Sequence, residues 1–157
     1  MTEEFMLFVP PCGLSHEANQ SLRLYYCPES RAIRNARYLG IYKERVVKAV
    51  GRIAKVVRCT VDVGAKSVNV LGGGEKVTLD EQKRIVEAAV EARGRKWDIT
   101  SGHKFYLCDS MEETEFAKSS SHGIRGHRML DLDTVLGGIV PWDLKGIADS
   151  LRKAHWT

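Results

Sequence analysis

The sequence predicts an α+β domain, and three observations carry that expectation. Short apolar runs rich in β-branched and aromatic residues recur along the chain, one stretch carries a complete helix-start signal, and strands do not alternate with helices as they do in doubly wound folds. The chain has 157 residues, 43% hydrophobic and 28% charged, with 14 Gly and 4 Pro. That composition fits one soluble domain over residues 1–157 and excludes disorder, collagen-like repeats and coiled coil. A chain of this length hides roughly two-thirds of its unfolded surface, so its core needs neither a metal nor a disulfide.

In chain order, Phe5 to Val9 reads as a short buried strand stopped by Pro10-Pro11. Ser15 to Leu22 reads as a short helix with Ser15 as its N-cap, and Ser30 to Asn35 as a polar, basic loop feeding a strand over Tyr38 to Tyr42. Val46 to Val63 fits a helical period and a strand period alike. Composition separates them: valines dominate, and Gly51 would weaken a helix by about 1 kcal/mol but marks a bulge or bend in a strand. One long, bent strand is expected there. Ser67 to Leu71 is a further strand, with Gly72-Gly-Gly74 as a hairpin turn; no Gly-Lys-Ser/Thr follows, which argues against a phosphate-cradling loop. Thr78-Leu-Asp-Glu81 is a capping box that opens a helix to Arg93, with Gly94 at C′ and Leu79, Val86, Ala89, Val90 and Arg93 along its packing stripe. Strands are expected again at Lys104 to Cys108 and Arg128 to Leu132. Leu144 to Ala154 is a helix with Leu144, Ile147, Ala148 and Leu151 at helical spacing.

The N-terminus, Met1-Thr-Glu-Glu4, is acidic where a secretory signal is basic, and no apolar stretch is long enough to span a bilayer as a helix. A cytoplasmic protein without a membrane partner is expected. Cys12, Cys27, Cys59 and Cys108 form no CxxC pair and read as reduced thiols in or near the core. No metal and no cofactor is expected.

The net charge of +4 is unevenly spread: residues 31–66 carry ten Lys or Arg against two Asp or Glu, whereas residues 1–30 and 67–115 are acidic on balance. Such a concentration of cations suits a polyanion, because phosphates bind it with release of counterions, although it equally suits a solvated face. A second constellation runs from Glu112 to Arg128 and sets Lys118, His122, Arg125, His127 and Arg128 beside Ser119-Ser-Ser121 and two glycines. Short polar side chains and glycines let backbone N–H groups approach a ligand, and the cations and imidazoles suit phosphates or base edges. As a metal site or a serine hydrolase the segment is weak, since His122 and His127 lack an evident third ligand and sequence adjacency does not make a nucleophile–base pair. Among the 12 aromatic residues, Trp97 stands out because its neighbours are all charged; core packing is the ordinary role of the others.

Tyr38-Leu-Gly-Ile-Tyr42-Lys, a turn, and Val47-Lys-Ala-Val-Gly51-Arg-Ile-Ala-Lys-Val-Val57 resemble the strand–turn–strand of PUA-like domains of the EVE, ASCH and YTH branches, over about twenty residues. The resemblance implies a strongly bent mixed β-barrel flanked by helices, with a pocket for one flipped base, unmodified or modified, and a basic rim for the strand's phosphates. Tyr38 and Tyr42 match the family's first barrel strand and Gly51 its second, and Trp97 and Trp142 are the aromatics whose chemistry suits the pocket.

The function expected is therefore a nucleic-acid-binding module, for DNA or RNA. Its contact residues are Tyr38, Tyr42, Lys43, Arg45, Arg52, Trp97, Ser119, His122, Arg125, His127 and Arg128, with Arg31, Arg34, Arg37 and Lys55 also positioning phosphates. The alternative is a small ASCH-like hydrolase or nuclease acting on nucleosides or RNA, in which Lys118, His122, His127 and one of Glu112, Glu113 or Glu115 do the acid–base work. A third reading, a protein-interaction domain, would use the same basic surface. All of these except the third need the basic middle third and the imidazole segment to share one hollow.

Overall fold

The computed structural model describes residues 3–157; Met1 and Thr2, which open the acidic N-terminus, lie outside them. Among the described residues the strands are β1 (Met6–Val9), β2 (Leu24–Pro28), β3 (Tyr38–Lys43), β4 (Val46–Asp62), β5 (Ser67–Val70), β6 (His103–Lys118), β7 (Arg128–Asp131) and β8 (His155–Trp156). The helices are α1 (His16–Leu22), α2 (Leu79–Gly94), α3 (Leu132–Val135) and α4 (Leu144–Leu151). The architecture is α+β. All eight strands join one mixed sheet whose main path runs β2-β6-β4-β3-β1-β7, with β5 on β4 and β8 on β6. The β1–β3 and β6–β8 pairs are parallel and the rest antiparallel.

The sheet curls. On that path β1 and β2 stand four strand spacings apart, about 19 Å in a flat sheet, yet the ring of Phe8 on β1 lies 5.6 Å from the ring of Tyr25 on β2. The curl stops short of the closed barrel that the sequence suggested: β2 and β7 end the hydrogen-bonded path and do not pair with each other.

Three apolar clusters follow from strand alternation. Phe105 and Leu107 of β6 face α2 with Ile85, Ala88, Ala89 and Ala92, while Tyr106 and Cys108 point to the other, concave face with Phe8, Tyr25, Leu39 and Ile41. Farther along, Val47, Val50 and Phe116 face α4 and Trp156. The four cysteines are free and buried; burial pushes the thiols of Cys12, Cys59 and Cys108 up to about 12.

The long strand over Val46 to Val63 is present, and its bend has a cause. Its ladder with β6 shifts register near Ala49 and on either side of Ile53, and Gly51 sits between Leu39 and Met111, where a Cβ would come within 2.7 Å of Cys108 Sγ.

Elsewhere the structure corrects the sequence. β2 arises where no strand was expected, and β6 continues through Lys118, so Glu112 to Lys118 is not a loop: Thr114, Phe116 and Lys118 are buried while Glu113 and Glu115 point out. Gly72-Gly-Gly74 links β5 to α2 and makes no hairpin. Ser15 stands at the start of α1 without a side-chain cap, its Oγ 2.7 Å from both the Cys12 carbonyl and Asn19 Oδ1 and donating to one of them at a time. In α2, Leu79 and Val90 are exposed, because the alanines allow the closest approach to the sheet and turn that side inward. The helix also runs through Gly94, and Lys96, at φ +63°, takes the left-handed position after it.

The capping box forms as the sequence requires. Thr78 Oγ1 accepts from the Glu81 N–H at 3.1 Å, and Glu81 Oε1 accepts from the Thr78 N–H at 2.8 Å and from Lys55 Nζ at 2.8 Å. Burial opposes the Glu81 charge, but the Lys55 and Thr78 hydrogen bonds outweigh it and hold the carboxyl below its ordinary 4.5. A carboxyl lowered in the folded state contributes stability that is complete above the unfolded value and lost as pH falls through the folded one. Glu81→Ala is therefore expected to cost about 1–3 kcal/mol at neutral pH in chemical denaturation, with the gap to wild type closing in acid.

Candidate nucleic-acid interface

The segment between β2 and β3 is a basic loop held at both ends. The Glu29 N–H donates to the Gly102 carbonyl at 3.0 Å, the Arg37 N–H to the Met6 carbonyl at 3.1 Å, and the Ile53 N–H to the Arg37 carbonyl at 2.8 Å. Lys104 Nζ donates to the Arg31 carbonyl. The backbone is thereby fixed while Arg31, Arg34 and Arg37 stay exposed.

Under this loop the concave face holds a hollow of about 440 Å³, whose lining includes Ile33, Arg34, Arg37, Arg58, Lys104 and Tyr106. Its lining carries four cations and no carboxylate. Among the described residues Arg58 alone of these four is ion-paired, with Glu29 at 3.3 Å. Cations gathered over an apolar floor raise the local concentration of anions and steer them inward.

A second depression, about 380 Å³, lies along the free edge of β2. Tyr25, Tyr26, Arg31, Arg95, Trp97 and His103 are among its lining residues. The Tyr25 and Tyr26 rings are nearly parallel, 10° apart with centroids at 6.3 Å. Arg95 Nη2 donates to the Tyr26 hydroxyl at 2.9 Å and its Nε to Glu91. Trp97 is 59% exposed. The two depressions are neighbours: Arg31 lines the slot while Arg34 and Arg37 of the same loop line the hollow, and the rings of Tyr25 and Tyr106 stand 6.3 Å apart. Burial raises the pKa of both tyrosines, so their hydroxyls stay protonated and able to donate.

The residues singled out from sequence fall in several places. Trp97 lines the slot. Tyr38 and Tyr42, expected to meet the ligand, are 5% exposed and belong to the core under α4. Lys43 ends β3 and Arg45 lies in the β3–β4 turn, where Arg45 Nη2 donates to the Ser120 carbonyl. Arg52 lies close to the Trp142 carbonyl, and Trp142 is 89% exposed beside α4, so it forms no cage with Trp97. Lys55 serves Glu81 rather than the loop. Ser119, Lys118 and Arg128 surround Trp156. His122 and Arg125 are exposed.

The two regions expected to share one hollow meet away from it, where Arg45 reaches the Ser120 carbonyl beside Lys118, and of the imidazole segment only His127 approaches the floor of the hollow. His127 packs edge-on against Phe8 with centroids at 5.4 Å, and Phe8 in turn packs on Tyr106 at 5.1 Å. The other members of the imidazole segment lie elsewhere. The acid–base set of the hydrolase reading is likewise spread out: Lys118 lies over Trp156, His127 on Phe8, and Glu115 points outward from β6.

Tyr25, Tyr26, Arg58, Arg95 and Lys104 line the two depressions without having been singled out, and Tyr106 lines the hollow although core packing was its expected role. The Tyr25-Tyr26 pair between Leu24 and Cys27 was the available signal, two aromatics on opposite faces of one strand. No protein-family model, curated protein or solved structure matches the chain.

Proposed function

We propose that the protein is a nucleic-acid-binding module of PUA-like character that takes a single-stranded segment across the β2–β3 loop. Phosphates rest on the cations of the hollow, and one unpaired base stacks in the slot against Trp97 and the Tyr25–Tyr26 edge. The observation that carries this reading is the adjacency of a carboxylate-free basic hollow and an aromatic slot on either side of one anchored arginine loop. Phosphate contacts position a strand, and aromatic stacking holds a base at about 1–3 kcal/mol. A duplex keeps its bases stacked internally, so a single strand is the preferred ligand.

Fluorescence anisotropy with labelled single-stranded DNA and RNA tests it. Affinity is expected to fall steeply between 50 and 200 mM salt, as on the order of 0.7 counterions leave per phosphate neutralised on a single strand. Trp97→Ala is expected to weaken binding about 5- to 100-fold at every salt concentration while leaving that slope unchanged. Affinity that ignores salt, or a Trp97→Ala protein that binds as wild type does, contradicts the reading.

A further inference from the structure

Among the described residues, three cations around Trp156 and the Ser119–Ser121 loop have no Asp or Glu partner. Lys118 is 8% exposed and ends β6 with its ammonium hydrogen-bonded to Ser120 Oγ, 5.9 Å from the centre of the indole. Arg45 reaches the same residue from the β3–β4 turn, its Nη2 2.5 Å from the Ser120 carbonyl. Arg128 flanks the same indole at 5.5 Å, its Nη2 bonded to the Thr157 carbonyl at 2.8 Å. Among the described residues no Asp or Glu side chain lies within 4.0 Å of any of the three. A buried cation is costly unless an opposite charge or a full set of hydrogen bonds compensates it; the contacts of Lys118 are one hydroxyl and one ring face.

Two further observations fall at the same place. Among the described residues the buried Tyr42 hydroxyl has no hydrogen-bond partner. Its ring packs edge-on to Trp156 at 5.8 Å, and it lies under the same loop, where a Cβ on Gly123 would sit 3.4 Å from its oxygen. The turn that presents Arg45 is also strained: Glu44 and Arg45 stand at φ +53° and +70°, conformations that Asn-Gly would adopt readily in a two-residue hairpin and that cost an ordinary side chain about 1–2 kcal/mol each. Strain held at a surface turn whose side chain reaches a second loop belongs with function more than with folding.

We infer that Lys118, Arg45 and the Ser119–Ser121 loop form a phosphate-binding subsite, closed from below by the Tyr42 hydroxyl and Trp156. Its ligand chemistry is a phosphate group with free oxygens, carried by the end of a nucleic-acid strand or supplied as free phosphate. Only the strand-end carrier rests on the nucleic-acid reading given above; the subsite stands without it.

The test uses the whole chain in phosphate-free buffer at constant ionic strength. Inorganic phosphate is expected to raise the melting temperature of the wild type, by the mass-action stabilisation of a ligand that binds only the folded state, and to leave Lys118→Met and Arg45→Ala unmoved. Lys118→Met removes an unpaired buried charge and so keeps the fold, which guards the comparison against simple unfolding. No shift beyond that of chloride in the wild type, or an equal shift in both variants, overturns the subsite. Strands with a 5′- or 3′-phosphate are then compared with hydroxyl-ended strands. At least a 5-fold preference for a phosphorylated end, lost in Lys118→Met, assigns the strand end as carrier. A phosphate shift without end preference assigns free phosphate. A phosphate shift with no oligonucleotide binding at all sustains the subsite while the nucleic-acid reading falls.

Discussion

Reversing two charges at once, Arg34→Glu with Arg37→Glu, is expected to weaken binding of a single-stranded oligonucleotide by at least about 100-fold at low salt, on the order of 1.4 kcal/mol per residue. Both side chains line the hollow and, among the described residues, neither is ion-paired, so the substitutions break no salt bridge seen there. The loop is held by backbone hydrogen bonds of Glu29, Arg37 and Ile53, which survive the change. The thermal midpoint should therefore move little while affinity collapses and the dependence of log K on log salt becomes shallower. Two single reversals of equal charge change are expected to differ: Arg34→Glu costs about 10-fold, whereas Lys83→Glu on α2 leaves affinity within about 2-fold. Equal losses from both proteins would mean that binding follows net charge and not the hollow.

Gly51→Val is expected to be the most destabilising single substitution in the sheet. A Cβ there would meet Cys108 Sγ at 2.7 Å, Met111 Cε at 2.9 Å and the Ser110 carbonyl at 3.1 Å. The Met111 side chain can swing away, but Cys108 is fully buried and the Ser110 carbonyl is fixed backbone. Overpacking typically costs about 1–3 kcal/mol, and with two fixed neighbours this site is expected at the top of that range, a large share of the stability of a domain of this size. Gly51 lies between the two stretches where the β4–β6 ladder shifts register, in the part of the sheet that carries Cys108 and Tyr106 to the concave face with Phe8 and Tyr25. The variant should accordingly melt at a much lower temperature and lose oligonucleotide binding in proportion to its unfolded fraction. A Gly51→Val protein as stable as wild type would show that the strand does not need the close approach.

What the sequence disclosed and what it concealed have physical reasons. Helix starts were legible because a capping box is local: Thr78 and Glu81 satisfy each other's backbone donors whatever the tertiary setting. The nature of Val46–Asp62 was legible from its valines and its glycine. The α2 packing stripe was not, since Leu79 and Val90 offer more apolar surface than Ala88 and Ala92, and only the nearness of the sheet makes the small residues the better face. β6 was half hidden because its second half alternates Glu113 and Glu115 with Thr114 and Phe116, a strand period that acidic residues disguise as a polar loop. At the interface, the arginines of residues 31–37 and Trp97 announced themselves by charge and context. Tyr106 and Tyr25 did not, because an aromatic that floors a depression has the same sequence environment as one that fills a core. Tyr38 and Tyr42 show the converse, aromatics beside basic residues that turn inward under α4.

The most direct measurement of the central claim is photocrosslinking of a short single strand carrying one 4-thiouracil, with the adduct mapped by peptide mass spectrometry. Adducts concentrated on Trp97, Tyr26 and the Ile33–Arg37 segment, and competed by unlabelled strand, are the predicted result. Adducts on the α2 face around Leu79 and Val90, or spread over the lysines without preference, would place the strand elsewhere and contradict it.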